Sequence, residues 1–167
     1  RGPEGFEPWE VDYLESTRDY VFRNTFQDME RLLPLFEQAG TRPEFECYDV
    51  GHLHNLRHLV DRGLVRTPFH VQFVLGVKHA LPAERDILEF EVAKLRELMP
   101  AATWVAAGIG RHQLDVNRWS LEMGGHCRTG LEDNVRWDKH RLAASNAELV
   151  RRVADLCADY KRVVATP

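Results

Sequence analysis

Between Gly124 and Asn134 the sequence reads Gly-Gly-His-Cys-Arg-Thr-Gly-Leu-Glu-Asp-Asn, a short strand pattern that ends in one strong cation, Arg128, followed by two adjacent carboxylates, Glu132 and Asp133. Charged side chains are seldom buried unless they are paired or bound to a metal. The C-terminal end of a strand is also where α/β folds build their chemistry. The same spacing suits an ordinary arginine–carboxylate ion pair, and both readings stand on these residues alone. Cys127, beside Arg128, is a candidate nucleophile by position, but a small buried filler is its expected role.

Other polar residues collect at strand ends. Glu44, Glu46 and Tyr48 share one face of a strand by the period of two, and Gln72 lies inside the next strand. Arg111, His112 and Gln113 follow a third, where Gly108-Ile109-Gly110 is weak evidence for an anion site. In a parallel barrel these ends rim one mouth, and several polar ends aligned there are hard to explain in an interior otherwise packed with branched apolar residues. Of the eight histidines, His52 and His54 invite a metal reading. On a helix starting at Gly51, however, residues two apart point about 200° apart and cannot share an ion. His58, His70, His79 and His140 are expected at the surface or as satisfied core residues, and His112 is retained as a substrate contact.

The elements that must position these residues alternate. Residues 1–24, with Pro3, Gly5 and Pro8 among acidic groups, show no sustained period and read as an irregular segment. From Thr25, which with Asp28 resembles a helix cap, Met29, Leu32, Leu33 and Phe36 recur at helical spacing until Gly40, with Pro34 expected to kink the run. Strands are expected at Glu44–Asp49, Phe69–Leu75, Thr103–Gly108 and His126–Gly130. Helices are expected at 51–64, 84–99 and 114–123, and a last one opens at Ser145 and Glu148 with Leu149, Val153, Leu156 and Tyr160 as its stripe. Four parallel strand-helix units over residues 25–167 imply half of an eight-unit (β/α)₈ TIM barrel, since a complete one takes about 250 residues. A dinucleotide-binding sheet lacks its Gly-x-Gly-x-x-Gly.

Composition narrows the function classes. The 167 residues are 44% hydrophobic and 29% charged, with a net charge of −4, as in ordinary globular proteins. The 22 basic residues are scattered and form no basic stripe, so nucleic acid is not an expected partner. No apolar run approaches the roughly 20 residues of a membrane span. The opening Arg1-Gly2-Pro3-Glu4-Gly5-Phe6 lacks the apolar segment of a signal peptide. No membrane partner is expected, and the expected location is cytoplasmic. Cys47, Cys127 and Cys157 form no Cys-x-x-Cys pair and suit reduced core thiols.

Arg42 to Leu53 (Arg-Pro-Glu-Phe-Glu-Cys-Tyr-Asp-Val-Gly-His-Leu), Gly108 to Gln113 (Gly-Ile-Gly-Arg-His-Gln), Gly124 to Asn134 and Ser145 to Glu148 (Ser-Asn-Ala-Glu) resemble, in order and spacing, the β-keto acid cleavage enzymes, the family of 3-keto-5-aminohexanoate cleavage enzyme. The resemblance runs from about Asp19 to Pro167 and implies a (β/α)₈ barrel, usually tetrameric, that binds one Zn²⁺. Such enzymes exchange acyl groups between a β-keto acid and the co-substrate acetyl-CoA, giving acetoacetate and a new CoA thioester. By this resemblance Glu132 is the carboxylate zinc ligand, Asp133 the catalytic base and Arg128 the arginine that orients it. Glu46, or else Glu44, contacts the distal end of the keto acid, and Arg111 and His112 remain substrate-binding candidates. The family's other two zinc ligands, a His-x-His pair, belong to the N-terminal half of the barrel, so this chain is expected to be the C-terminal half and inactive alone. Two further readings remain: another metal-assisted barrel aldolase or lyase that works without CoA, and a non-catalytic half-barrel that serves assembly or binding.

Overall fold

The structure, a computed structural model, describes residues 8–166. Its order is α1 (Pro8–Ser16), α2 (Phe26–Gln38), β1 (Glu44–Cys47), α3 (Val50–Asp61), β2 (His70–Leu75), α4 (Arg85–Leu98), β3 (Thr103–Gly108), α5 (Gln113–Met123), β4 (His126–Cys127) and α6 (Asn146–Leu156). The four strands form one parallel sheet in the order β1-β2-β3-β4. Each strand is followed by a helix, with α6 coming after a long loop in the case of β4, so the molecule has the arrangement of half a (β/α)₈ barrel.

Pairing puts Glu44 opposite His70 and Glu46 opposite Gln72, then Gln72 opposite Val105 and Val105 opposite His126. Because side chains alternate, one face of the sheet carries Glu44, Glu46, His70, Gln72, Val74, Thr103, Val105, Ala107, His126 and Arg128. The other face packs Cys47, Val71, Phe73, Leu75, Trp104 and Ala106 against Leu53, Leu56 and Leu59 of α3, Leu88, Val92 and Leu95 of α4, and Val116 of α5. The apolar core thus lies between sheet and helices, and the inner face of the barrel is the polar one. Gly125 lets β4 enter beside Trp104, because a Cβ there would lie 2.4 Å from the indole ring.

Several expectations are corrected. Within residues 1–24, residues 8–16 form a helix with Pro8 at its first position, where the missing N–H costs nothing; no period marks it because none of its side chains is buried. Residues 1–7 lie outside the described part. In α2, Thr25 and Asp28 complete the expected capping box. The helix continues past Pro34, and of the expected stripe only Leu33 is fully buried while Leu32 is 49% exposed. The expected strand His126–Gly130 pairs only over His126 and Cys127, because beyond them the chain turns away into the loop that carries the carboxylates.

Candidate active site

Arg128 leaves the end of β4 toward the inner face, with its backbone N–H still bonded to Ala106 O at 3.3 Å. The chain then turns at Gly130, whose carbonyl accepts from Gln113 Nε2 (2.9 Å) and from Asn134 N (3.1 Å). The next amide, Leu131 N, donates to Asn146 Oδ1 at 2.8 Å. Gln113 at the start of α5 and Asn146 at the start of α6 therefore clamp the turn from both sides. Gly130 has φ +157, and a Cβ on it would lie 3.0 Å from Asn146 Oδ1. The clamped turn sends adjacent side chains in opposite directions: Glu132 is 87% exposed while Asp133 is 3% exposed.

Asp133 meets Arg128 edge-on. Arg128 Nε donates to Oδ2 at 3.0 Å and NH2 to Oδ1 at 2.8 Å, a bidentate pair of the kind that fixes a carboxylate in one plane. NH2 also lies 3.3 Å from Glu132 Oε1. The remaining nitrogen, NH1, donates to Glu46 Oε1 at 3.1 Å across the sheet. That same oxygen accepts from Gln72 Nε2 at 2.6 Å, and Glu46 Oε2 accepts from Tyr48 OH at 2.9 Å. The hydrogen bond to Asp133, more than any other influence, raises the pKa of Arg128. Burial, with the hydrogen bond to Glu46, pushes the Tyr48 phenol up to about 12, so it stays a donor.

The structure thus brings Arg128, Glu132, Asp133 and Glu46 together at the strand ends. Arg111 and His112 occupy a single turn after β3, Arg111 Nε donating to His112 Nε2 at 3.3 Å. Their tie to the cluster is through the backbone, where Gly110 N donates to Asp133 O at 2.7 Å. Glu44, the alternative to Glu46, sits two residues back along β1 and belongs to another group: its Oε2 lies 3.6 Å from His70 Nε2, while His70 Nδ1 is 2.7 Å from Thr103 Oγ1. The His52 and His54 pair forms no site, since His52 Nδ1 accepts from Tyr48 N at 3.0 Å. Cys127 Sγ donates to Asn117 O at 3.3 Å, and burial pushes its thiol up to about 12, which suits a filler and removes the thiolate a nucleophile needs.

Gln72 and Asn146 were not assigned to the site from sequence. Gln72 was visible as a polar residue inside a strand, but its reach to Glu46 depends on the β1–β2 register, and Asn146 was hidden beside the cap residue Ser145. Among the described residues no three His, Cys, Asp or Glu groups are arranged to hold a metal ion. Glu132 offers one exposed oxygen donor, and a catalytic zinc ordinarily takes three protein ligands; these residues suit one corner of such a site and do not make a whole one. Chemically, the cluster offers a buried carboxylate fixed by a charged fork, with an exposed carboxylate beside it at the edge of the same guanidinium.

A family described as beta-keto acid cleavage enzyme matches residues 6–167 of this sequence. The 3-oxoadipate:acetyl-CoA acetyltransferase of Cupriavidus necator is 54% identical over 125 residues, covering 75% of this chain and 44% of the relative. The 3,5-dioxohexanoate:acetyl-CoA acetone transferase of Paraburkholderia graminis is 39% identical over 160 residues, 95% of this chain and 52% of the relative. The 3-keto-5-aminohexanoate cleavage enzyme of Fusobacterium nucleatum is 38% identical over 149 residues, 89% and 53% of the two chains. The chain spans about half the length of these curated relatives. Among solved structures, apo ObcA superposes with a TM-score of 0.74 at 19% identity, covering 86% of this chain and 38% of ObcA, a likeness of fold.

Proposed function

The chain belongs to the beta-keto acid cleavage enzyme family, and we propose that the complete protein exchanges acyl groups between a β-keto acid and acetyl-CoA, releasing acetoacetate and a new CoA thioester. The observation that carries this reading is the two-point fork of Arg128 on the buried Asp133, with Glu132 turned outward beside it. Asp133 is the base. Each of its oxygens keeps a lone pair beyond the one engaged by the fork, and one of them takes the proton from the carbon between the two carbonyl groups of the keto acid. Arg128 holds the carboxylate in one plane for that transfer through its two-point hydrogen bond. Glu46, held by Tyr48, Gln72 and Arg128, contacts the distal end of the keto acid, and Arg111 and His112 approach the substrate from the loop after β3.

Glu132 would hold a Zn²⁺ together with donors from outside this chain. A bound zinc polarises a keto oxygen as a Lewis acid and so acidifies the adjacent carbon. The complete protein is proposed to be a cytoplasmic homotetramer. No described helix is long and apolar enough to cross a membrane.

The test uses the full-length protein, a panel of β-keto acids and acetyl-CoA labelled in its acetyl group. Label recovered in acetoacetate, with a new acyl-CoA formed in equal amount, is the expected result. Cleavage of the keto acid at the same rate without acetyl-CoA would replace this reading with a CoA-independent lyase.

A further inference from the structure

Arg152, half-buried on α6, has no carboxylate of its own. Glu148, one turn before it, is taken by Arg141 at 2.8 Å, and Arg152 makes no ion pair among the described residues. Its Nε is buried without a hydrogen-bond partner. Burial, and after it the charge of Arg118, lower its pKa. A guanidinium so placed is unfavourable unless other contacts compensate, and its two remaining nitrogens supply them. NH1 donates to Trp137 O at 2.7 Å, and NH2 lies 3.5 Å from Gln113 Oε1. The guanidinium carbon sits 4.7 Å from the centre of the Trp137 ring, within cation–π range.

These contacts grip both ends of the segment that carries Glu132 and Asp133. At the near end the link is Gln113, which is 0% exposed and donates from Nε2 to Gly130 O at 2.9 Å. A guanidinium only donates and a carbonyl only accepts. The amide between Arg152 and Gly130 therefore has one orientation that serves both, with Oε1 toward the arginine and Nε2 toward the turn. The same carbonyl accepts from Asn134 N at 3.1 Å, which closes the turn around the two carboxylates. At the far end the loop is stiff from Asn134 onward. Asn134 accepts from Arg136 N at 3.0 Å and donates to Arg136 O at 2.7 Å, Trp137 N donates to Arg141 O at 3.0 Å, and Ala143 N donates to Val135 O at 3.0 Å. Where Trp137 is held, Asn134 and the turn are held with it.

We propose that Arg152 is a positioning residue of the active site, tying Gly130, through Gln113, and Trp137 to α6 and so fixing where Asp133 and Glu132 stand relative to Arg128. This assignment rests on the roles proposed above for those residues. Arg152 acts on the reaction only through the loop. Arg128 enters the cluster from the end of β4, whereas both carboxylates hang on the turn that follows, so the two-point fit of Arg128 on Asp133 depends on the seat of that turn. A lysine at position 152 would keep the charge and lose the geometry. Its ammonium is a single point on a flexible stem and lacks the planar fork that meets Trp137 O and Gln113 Oε1 together.

The experiment compares the full-length wild type with Arg152→Met and with the conservative Arg152→Lys. Both variants are expected to lose about tenfold or more in kcat for acetoacetate formation, with KM for the keto acid and for acetyl-CoA within about twofold of wild type. Their unfolding midpoints are expected to stay within about 3 °C of wild type. Hydrogen exchange followed by mass spectrometry supplies a readout that needs no turnover: exchange quickens in the peptides that cover residues 130–137 and nowhere else. Wild-type kcat in both variants, or unchanged exchange over residues 130–137, overturns the proposal. Faster exchange throughout the chain with a lowered midpoint also overturns it, because Arg152 would then support the fold as a whole. Local quickening in a protein whose wild type forms no acetoacetate upholds the hold of Arg152 on the turn while rejecting the proposed reaction.

Discussion

Arg128 and Asp133, five residues apart in the chain, face each other through two parallel hydrogen bonds of 3.0 and 2.8 Å, with the carboxylate buried and the far side of the guanidinium tied to Glu46. A lysine at position 128 could reach one of these carboxylates as a point charge but could not hold the plane of Asp133. In the full-length protein Arg128→Lys is expected to lower kcat by about a hundredfold or more, the effect of a misplaced reacting group. Steady-state rates of acetoacetate formation check this; a variant within threefold of wild type would remove the fork from the mechanism.

The opposite exposures of Glu132 and Asp133 separate their proposed roles. Asp133→Asn is expected to leave zinc content unchanged and to reduce turnover by about 10² to 10⁴, the usual contribution of a positioned base. Glu132→Gln should instead lower zinc content. Elemental analysis beside rate measurements distinguishes the two, and normal zinc in Glu132→Gln would reassign that residue.

Gln72 touches no reacting atom in the proposed scheme and acts through Glu46, to which it donates at 2.6 Å. Gln72→Met keeps the volume and removes the donor. It is expected to lower kcat about five- to tenfold with little change in thermal stability, since an apolar side chain suits a buried strand position. If Gln72 works through Glu46, the same substitution in a Glu46→Leu background should have almost no further effect. Additive losses in this cycle would show that Gln72 acts independently.

Glu91 on α4 is 1% exposed and neither of its side-chain oxygens has a partner. Burial, with the nearby charge of Asp49, raises its pKa from 4.5 to about 7. The unfolded chain therefore releases this proton first as pH rises. The stability associated with Glu91 is full below about pH 4.5 and is lost as pH climbs through about 7. Denaturant unfolding is expected to show wild-type stability falling over that window, and Glu91→Met to flatten the slope. At pH 8 the variant should be more stable by about 1 to 3 kcal/mol. Parallel pH profiles for the two proteins would mean that Glu91 is solvated or paired in solution.

Much of this arrangement was legible in the residues. Buried parallel strands read as apolar runs such as Val71, Phe73, Val74 and Leu75, and the helices between them carry clear stripes, so order and direction follow from alternation alone. The carboxylates after β4 were found because their motif is contiguous. What escaped reading depends on contacts between distant segments. Only the β1–β2 register places Gln72 on Glu46 rather than Glu44, and only the docking of α6 brings Asn146 to Leu131 N. The short α1 escaped because it buries nothing, and burial is what writes a period into a sequence.

The spatial order of the strands repeats their order in the chain, and each pairing joins segments about 20 to 35 residues apart, so every loop that must close during folding is of modest length. Such a sheet can grow by accretion, each strand-helix unit settling on the exposed edge of the one before it as the polypeptide leaves the ribosome. Synthesis and folding then run in the same direction, and of these four units the one that carries Arg128 and Asp133 docks on the other three. The hydrogen bond from Arg128 to Glu46 forms only when the preceding units are already in place to receive it.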